Sequence, residues 1–507
     1  MPVGVGGALT LADVVAVARG ATVEFPADAR ARVEAARAVV ERVIASGDTI
    51  YGVTTGFGSL ADVRIDPSQA AALQLGIVRS HATAVGRPLS REEARAMLLL
   101  RAHVLALGYS GVRPLIVDRM VEMLNRELIP SVPEQGSLGA SGDLAPLANL
   151  ALPLIGQGEL LSEDGSEPAG AALAVAGLSP IVLEAKEGLA LVNGTQGMLA
   201  VGILAARRVA DLARAADVTA AMSVEAALGT DAAFDERLQR LRPHAGQVAS
   251  ASNLRRLLAG SSILSSHRES PHLVQDAYSL RCAPQVHGAT RDALNYVEGV
   301  LQTEAGAVSD NPIVLPDDEV RSGGNFHGQP VAVALDTLAI STVGLASISE
   351  RRLYRLLDPK RNNDLPAFLI QGSGLNSGFM LVQYTAASLV SECKSLAHPA
   401  SVDSIPSSAG QEDHVSMGMI AARHARDIVT NAELVVAMEA MAATQALDLR
   451  SPLEPAEGTR AAHDALRDVV PFLEVDRELR PDIDACVELV RGGGLVTAVE
   501  SVVGRLD

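Results

Sequence analysis

The stretch TQGMLAVGILAARRVADLARAADVTAAMSVEAAL, Thr195–Leu228, decides the fold class. It contains no proline and mixes alanine with leucine, valine, isoleucine and methionine beyond the usual length of a globular helix. Pro330–Leu357 and Ser416–Leu449 have the same character. Apolar surfaces this wide exceed a single packing seam, which predicts a bundle of long helices and helix–helix oligomerisation. Shorter helices are punctuated around them. Ser90 followed by Glu93 forms a capping box ahead of a run from Arg91 that stops at Gly108. Pro114 opens another, with Val117, Met120, Val121, Leu124 and Leu128 on one face. A further helix spans Ser377–Ser395, whereas strand-like runs such as Ala307–Leu315 are few. The expected fold is mainly α. A long-helix bundle over 195–450 follows a smaller mixed N-terminal region over 1–194. Pro452 and Pro455 end the last long helix and open a C-terminal helical segment over 451–507.

Composition narrows the function. The 507 residues are 48% hydrophobic and 20% charged, a globular rather than disordered balance. A net charge of −18 repels phosphate backbones and acidic membranes, and aromatic residues are only 3% of the chain with no tryptophan. Neither a nucleic-acid nor a membrane partner is expected. Cys282, Cys393 and Cys486 lie far apart, so neither a disulfide framework nor a cysteine-based zinc site is expected. The N-terminal residues lack the basic and apolar regions of a signal peptide, and charges such as Asp336 and Glu350 interrupt the apolar runs. The chain reads as cytoplasmic.

The chemistry is concentrated in GSLGASGDLAPLA, Gly136–Ala148. One reading is a tight turn before a helix, with Asp143 near its N-cap. A serine-hydrolase elbow fails because Asp143 occupies the last position of GxSxG. A third reading uses the small residues chemically. Gly142 has no Cβ, so its nitrogen can approach the Ala140 carbonyl carbon in a strained loop. Ring closure, with loss of water there and from Ser141, leaves a methylidene-imidazolone: a carbon electrophile made without an added cofactor.

ASGDLAPLA resembles the signature of the aromatic amino-acid ammonia-lyase family. So do YGVTTGFG (Tyr51–Gly58), KEGLALVNGTQ (Lys186–Gln196), QDAYSLRCAPQV (Gln275–Val286), SDNP (Ser309–Pro312), GGNFHG (Gly323–Gly328) and QEDHVSMG (Gln411–Gly418), in the family's order. The resemblance implies a long-helix bundle of the fumarase/aspartase-like type and a homotetramer with active sites shared between subunits. It also implies a prosthetic group formed from Ala140, Ser141 and Gly142, with no external cofactor.

Within the family, Ser80-His81 and Glu412 resemble the members that act on histidine. Tyrosine and phenylalanine enzymes and the aminomutases carry an amide at the glutamate's position. A carboxylate suits an imidazole, which offers an N–H and can carry positive charge; a phenyl ring would leave it desolvated and unpaired. Glu412 as a mere cap for the helix beginning near Ser416 is the plainer reading. The implied substrate is L-histidine, deaminated to trans-urocanate.

By its motif, Arg281 clamps the substrate carboxylate, as a guanidinium fork is suited to do. Asn193 and Asn311 form a polar wall, while His81, Gln275 and Phe326 line the pocket. Tyr51 is the first choice of β-proton base, Glu412 is its rival, and Tyr278 assists amine transfer. No metal is expected, and His327 and His414 read as structural. Gly410, Ala367 and Thr54 depart from the family pattern, which bears on pocket shape. Two alternatives remain: a tyrosine or phenylalanine lyase or aminomutase, and a catalytically inactive helical scaffold.

Overall fold

The computed structural model describes residues 2–46, 50, 52, 55–56, 65–269, 274–372 and 374–507. It is mainly α-helical, as expected. The three long segments form the helices Gln196–Ala226, Gln329–Leu357 and Gly418–Asp448, and Ser377–Ser395 corresponds to Met380–Leu396. A fourth long helix, Ala283–Ala305, escapes the sequence reading because Pro284 and Gly288 dilute its apolar pattern. The described strands are short and form two-stranded sheets; of Ala307–Leu315, only Ile313–Val314 is strand, paired antiparallel with Val320–Arg321.

Compactness divides the chain into two units, each discontinuous in sequence. One comprises Met1–Leu204, Glu298–Asp336 and Pro399–Arg423; the other comprises Ala205–Val297, Thr337–His398 and His424–Asp507.

The first unit is organised by helix Arg91–Ala106, which is buried along almost its whole length, Arg95 and Arg101 included. Ser90 caps it: its hydroxyl accepts the Glu93 N–H, and the Glu93 carboxylate accepts the Ser90 N–H. Pro114 begins helix Pro114–Asn125, whose buried side chains include Val117, Met120 and Leu124. Helix Gln329–Leu357 is long and apolar enough to cross a membrane, but 61% of its most apolar window is buried inside the protein. Within this unit, Asp336 on that helix accepts the N–H groups of Ala400 and Ser401 at 3.2 and 2.8 Å.

In the second unit, parts of all four long helices pack around a chain of buried charges. Glu439 accepts hydrogen bonds from Ser223, Ser349 and the guanidinium of Arg352. Arg352 also reaches His287 Nε2 at 3.4 Å, and His287 Nδ1 lies 2.7 Å from Asp217. The tautomer that serves both contacts carries its hydrogen on Nδ1. Asp217 additionally accepts from Ser250, Asn253 and Arg291. Burial pushes the thiols of Cys393 and Cys486 up to about 11 and about 12, which makes them poor nucleophiles.

Replacing Glu439 by alanine strands a fully buried guanidinium. Glu439→Ala is expected to lower stability by about 3–5 kcal/mol, measured by denaturant unfolding followed by circular dichroism. A change under about 1 kcal/mol would show that the network does not hold the helices together.

Candidate active site

The Gly136–Ala148 segment is a tightly bracketed bend. The Gly194 amide donates to the Ser141 carbonyl at 3.1 Å, and the Asp143 amide donates to the Gly194 carbonyl at 2.7 Å. Gly139 and Gly142 face each other across Ala140-Ser141 as an isolated bridge. Gly142 has φ +77°, and a Cβ there would sit 2.0 Å from the Gly194 carbonyl oxygen, so only glycine fits. Asp143 occupies the N-cap position of helix Leu144–Ala151 but makes no capping bond. Its carboxyl is used elsewhere: Oδ1 accepts from Ser137 Oγ at 2.8 Å and Oδ2 from the Met198 amide at 2.7 Å. Burial pushes this carboxyl up to about 6 against those two hydrogen bonds.

The QEDHVSMG segment is stitched to the same bend. The Met417 amide donates to the Leu138 carbonyl at 2.9 Å, and Ser416 Oγ donates to the Gly139 carbonyl at 3.3 Å. The helix that follows begins at Gly418, well past Glu412. Glu412 therefore does not cap it. Its Oε1 accepts from Ser141 Oγ at 3.3 Å and its Oε2 from Ser407 Oγ at 2.9 Å, while the two backbones pair as a bridge. A cavity of about 220 Å³ opens here, lined by Ser80, His81, Thr83, Ala140, Ser407 and Glu412, among others. His81 Nδ1 lies 2.9 Å from the Ile77 carbonyl, and burial holds its imidazole below the usual range.

A second polar group lies in the same unit. Asn193 Nδ2 donates to the Asn311 carbonyl at 3.0 Å, and Asn311 Oδ1 accepts the Gly323 amide at 2.8 Å. Behind them, the fully buried Lys186 and Asp310 form an ion pair at 2.8 Å. The buried Oδ1 of Asn193 has no hydrogen-bond partner among the described residues, an acceptor that stays costly until something donates to it. Phe326 is half-buried just before helix Gln329–Leu357.

Three expected residues gather in the other unit. Arg281 Nη2 donates to Gln275 Oε1 at 2.9 Å and its Nε to the Asp276 carbonyl at 3.0 Å, with the guanidinium 4.7 Å above the centre of the Tyr278 ring. Tyr278 is 72% exposed. Tyr51 lies outside the described residues. The structure thus brings together Ser141, Glu412 and His81; Asn193 with Asn311; and Gln275, Tyr278 and Arg281. His327 and His414 pair with each other, rings stacked 5.8 Å apart. Among the described residues, no group of three His, Cys, Asp or Glu side chains is arranged to hold a metal. Sequence reasoning missed Ser407, which carries no local signal, and Ser137, Lys186 and Asp310, which stand inside quoted motifs.

Ala140, Ser141 and Gly142 fit a methylidene-imidazolone. The bend closes one side of Ala140-Ser141 on the other, the Gly142 cradle excludes a Cβ, and the Ser141 hydroxyl lies on a carboxylate.

The fold and this bend together define a helical protein with a tightly bracketed loop of small residues, and comparison with known proteins identifies its family. Residues 9–468 match the sequence profile of the aromatic amino acid lyases. The chain is 53% identical to the histidine ammonia-lyase of Sorangium cellulosum over 99% of both chains. The crystal structure of histidine ammonia-lyase from Trypanosoma cruzi superposes with a TM-score of 0.91 at 44% identity, covering 99% of this chain and 95% of the other. Tyrosine aminomutase from Streptomyces globisporus superposes with a TM-score of 0.93 at 38% identity over 99% of both chains. The chain belongs to the aromatic amino acid lyase family.

Asp143 gives a pH signature. Its folded value is raised from the ordinary 3.8 to about 6, so its contribution to stability is complete below about pH 4 and is lost as pH rises through about 6. Relative to Asp143→Asn, the wild type is expected to lose ~2 kcal/mol of stability between pH 4 and pH 7. Unfolding midpoints of the two proteins across that range test this; parallel profiles would contradict it.

Proposed function

We propose that this chain removes ammonia from L-histidine to give trans-urocanate, a deamination without oxidation or reduction and the first step of histidine degradation. The observation that carries the reading is Glu412, anchored by Ser407 and 3.3 Å from the Ser141 hydroxyl, in a cavity shared with His81. A carboxylate in that position favours a side chain that donates N–H and can carry charge, which imidazole does and phenyl does not. The relatives named histidine ammonia-lyase support the same substrate.

The methylidene-imidazolone formed from Ala140-Ser141-Gly142 supplies an electrophilic carbon that takes up the substrate amine and makes it a better leaving group. The chain's own residues do the rest. Arg281 binds the substrate carboxylate through its fork, and Gln275 braces it from the side. Asn193 and Asn311 form the polar wall, with the unpartnered Oδ1 of Asn193 as an available acceptor. His81 and Phe326 bound the side-chain pocket, and Glu412 orients the imidazole. Tyr51 removes the β-proton, with Glu412 as the rival base, and Tyr278 assists transfer at the amine. The reading needs no external cofactor or metal.

The enzyme works in the cytoplasm as a homotetramer with sites shared between subunits. Support for a shared site is the exposure of Tyr278, an aromatic ring left at the surface beside the Arg281 clamp, which a neighbouring subunit would cover.

The direct test is ultraviolet detection of product from L-histidine, L-tyrosine and L-phenylalanine, with Ser141→Ala as control. Urocanate from histidine alone, abolished by the substitution, is expected. Activity only on an aromatic amino acid would point to a tyrosine or phenylalanine enzyme, a β-amino product to an aminomutase, and silence to a scaffold. Glu412→Gln keeps the shape but loses the charge. It is expected to lower kcat/KM for histidine about 10- to 150-fold, the worth of a charge-assisted hydrogen bond of roughly 1.5–3 kcal/mol. Shared sites have their own test: co-expressing Ser141→Ala with Arg281→Ala should regain activity that neither has alone, and no recovery would contradict sharing.

A further inference from the structure

Arg101 is a cation in an unusual place. It sits on the buried helix Arg91–Ala106, is fully buried, and has no carboxylate among its hydrogen-bond partners. Its Nη1 donates to the Asn193 carbonyl at 2.7 Å and to Gln196 Oε1 at 2.8 Å, while Nε and Nη2 have no partner among the described residues. Asp310, the acidic group whose charge acts on it, is already paired with Lys186. Burying a guanidinium on two neutral acceptors is costly, so stability does not account for it.

What it touches does. The carbonyl of Asn193 and the N–H of Gly194 belong to one planar peptide and point in opposite directions, so fixing one fixes the other. That N–H is the one that holds the Ser141 carbonyl at 3.1 Å, and the Gly194 carbonyl holds the Asp143 amide at 2.7 Å. Gly194 has φ +150°, and a Cβ on it would lie 2.6 Å from Arg101 Nη1 and 2.4 Å from Gln196 Oε1, so the guanidinium presses directly on the bracket. A cation on the Asn193 carbonyl also polarises the peptide and strengthens its N–H as a donor.

We infer that Arg101 is a positioning residue for formation of the prosthetic group, acting through the Asn193–Gly194 peptide on Ser141. This rests on the function proposed above. The step it serves balances without an oxidant. The Gly142 nitrogen bonds to the Ala140 carbonyl carbon, and that oxygen departs as water with the Gly142 and Ser141 N–H protons, leaving a C=N bond to the Ser141 nitrogen before a second loss. In that loss, the Ser141 Cα proton and its hydroxyl leave as water, giving the methylidene. Negative charge builds on the Ser141 carbonyl oxygen as the Cα proton departs, and the Gly194 N–H, oriented and polarised by Arg101, meets it there.

The test is the intact mass of the full chain, and of its Ala140–Gly142 peptide, in wild type, Arg101→Met, Arg101→Lys and Ser141→Ala. Circular dichroism and oligomer size are measured on each. The wild type should lack the mass of two waters and Ser141→Ala should retain it. Arg101→Met, an apolar replacement of similar length, is expected to fold but to show at least a tenfold smaller dehydrated fraction. Arg101→Lys keeps the charge without the fork and should fall between, so it decides the matter should the methionine variant not fold. A folded Arg101 variant dehydrated as fully and as fast as wild type would overturn the inference while leaving the proposed function intact. A wild type without the two-water deficit would overturn both.

Discussion

The Gly194 peptide grips its neighbour in two directions, donating to Ser141 and accepting from Asp143, and the rest of the site is arranged around that grip. It holds Gly142 in a left-handed conformation that glycine adopts without strain, and it leaves room for no side chain at that position. Asp143, the next residue, is tied by its carboxyl to the Met198 amide in the first turn of helix Gln196–Ala226, where a helix N-terminus favours an acceptor. Met417 and Ser416 bind the other end of the bend and bring Glu412 with them. The tripeptide proposed to form the prosthetic group and the carboxylate proposed to choose the substrate are thus held by one backbone framework.

That framework is expensive in buried charge. Burial pushes Lys186 down and Asp143 up, and leaves two nitrogens of Arg101 unpaired among the described residues. In the second unit the charges are better matched: Glu439 and Arg352 are fully buried but share several hydrogen bonds, so the network specifies how the long helices meet. The contrast is physical. Arg352 and Glu439 in the helix bundle satisfy one another, whereas Arg101 beside the bend stays partly unsatisfied, which is consistent with geometry there having precedence over stability.

Much of this was legible in the chain. Helix type and approximate ends followed from local rules, as with the Ser90–Glu93 capping box, Pro114 at a helix start and the long alanine-rich runs. The small residues around Ser141 announced a loop that a Cβ would spoil. Illegible were the contacts made at a distance. Asp143 stands at an N-cap position, yet its carboxyl serves residues 6 and 55 positions away. Ser407 and Arg101 stand outside the quoted motifs and matter only for what the fold sets beside them. Four of the five crossings between the two units fall inside helices, where no proline or change of composition marks them; only the fifth, at Pro399, coincides with a local signal.

The central claim is that Glu412 makes this a site for imidazole rather than phenyl. It is tested most directly by calorimetric binding of two unreactive carboxylates, 3-(imidazol-4-yl)propanoate and 3-phenylpropanoate, to the active enzyme. The account predicts that the imidazole compound binds at least about tenfold more tightly, as a charge-assisted hydrogen bond requires. Equal binding, or a preference for phenyl, would contradict it.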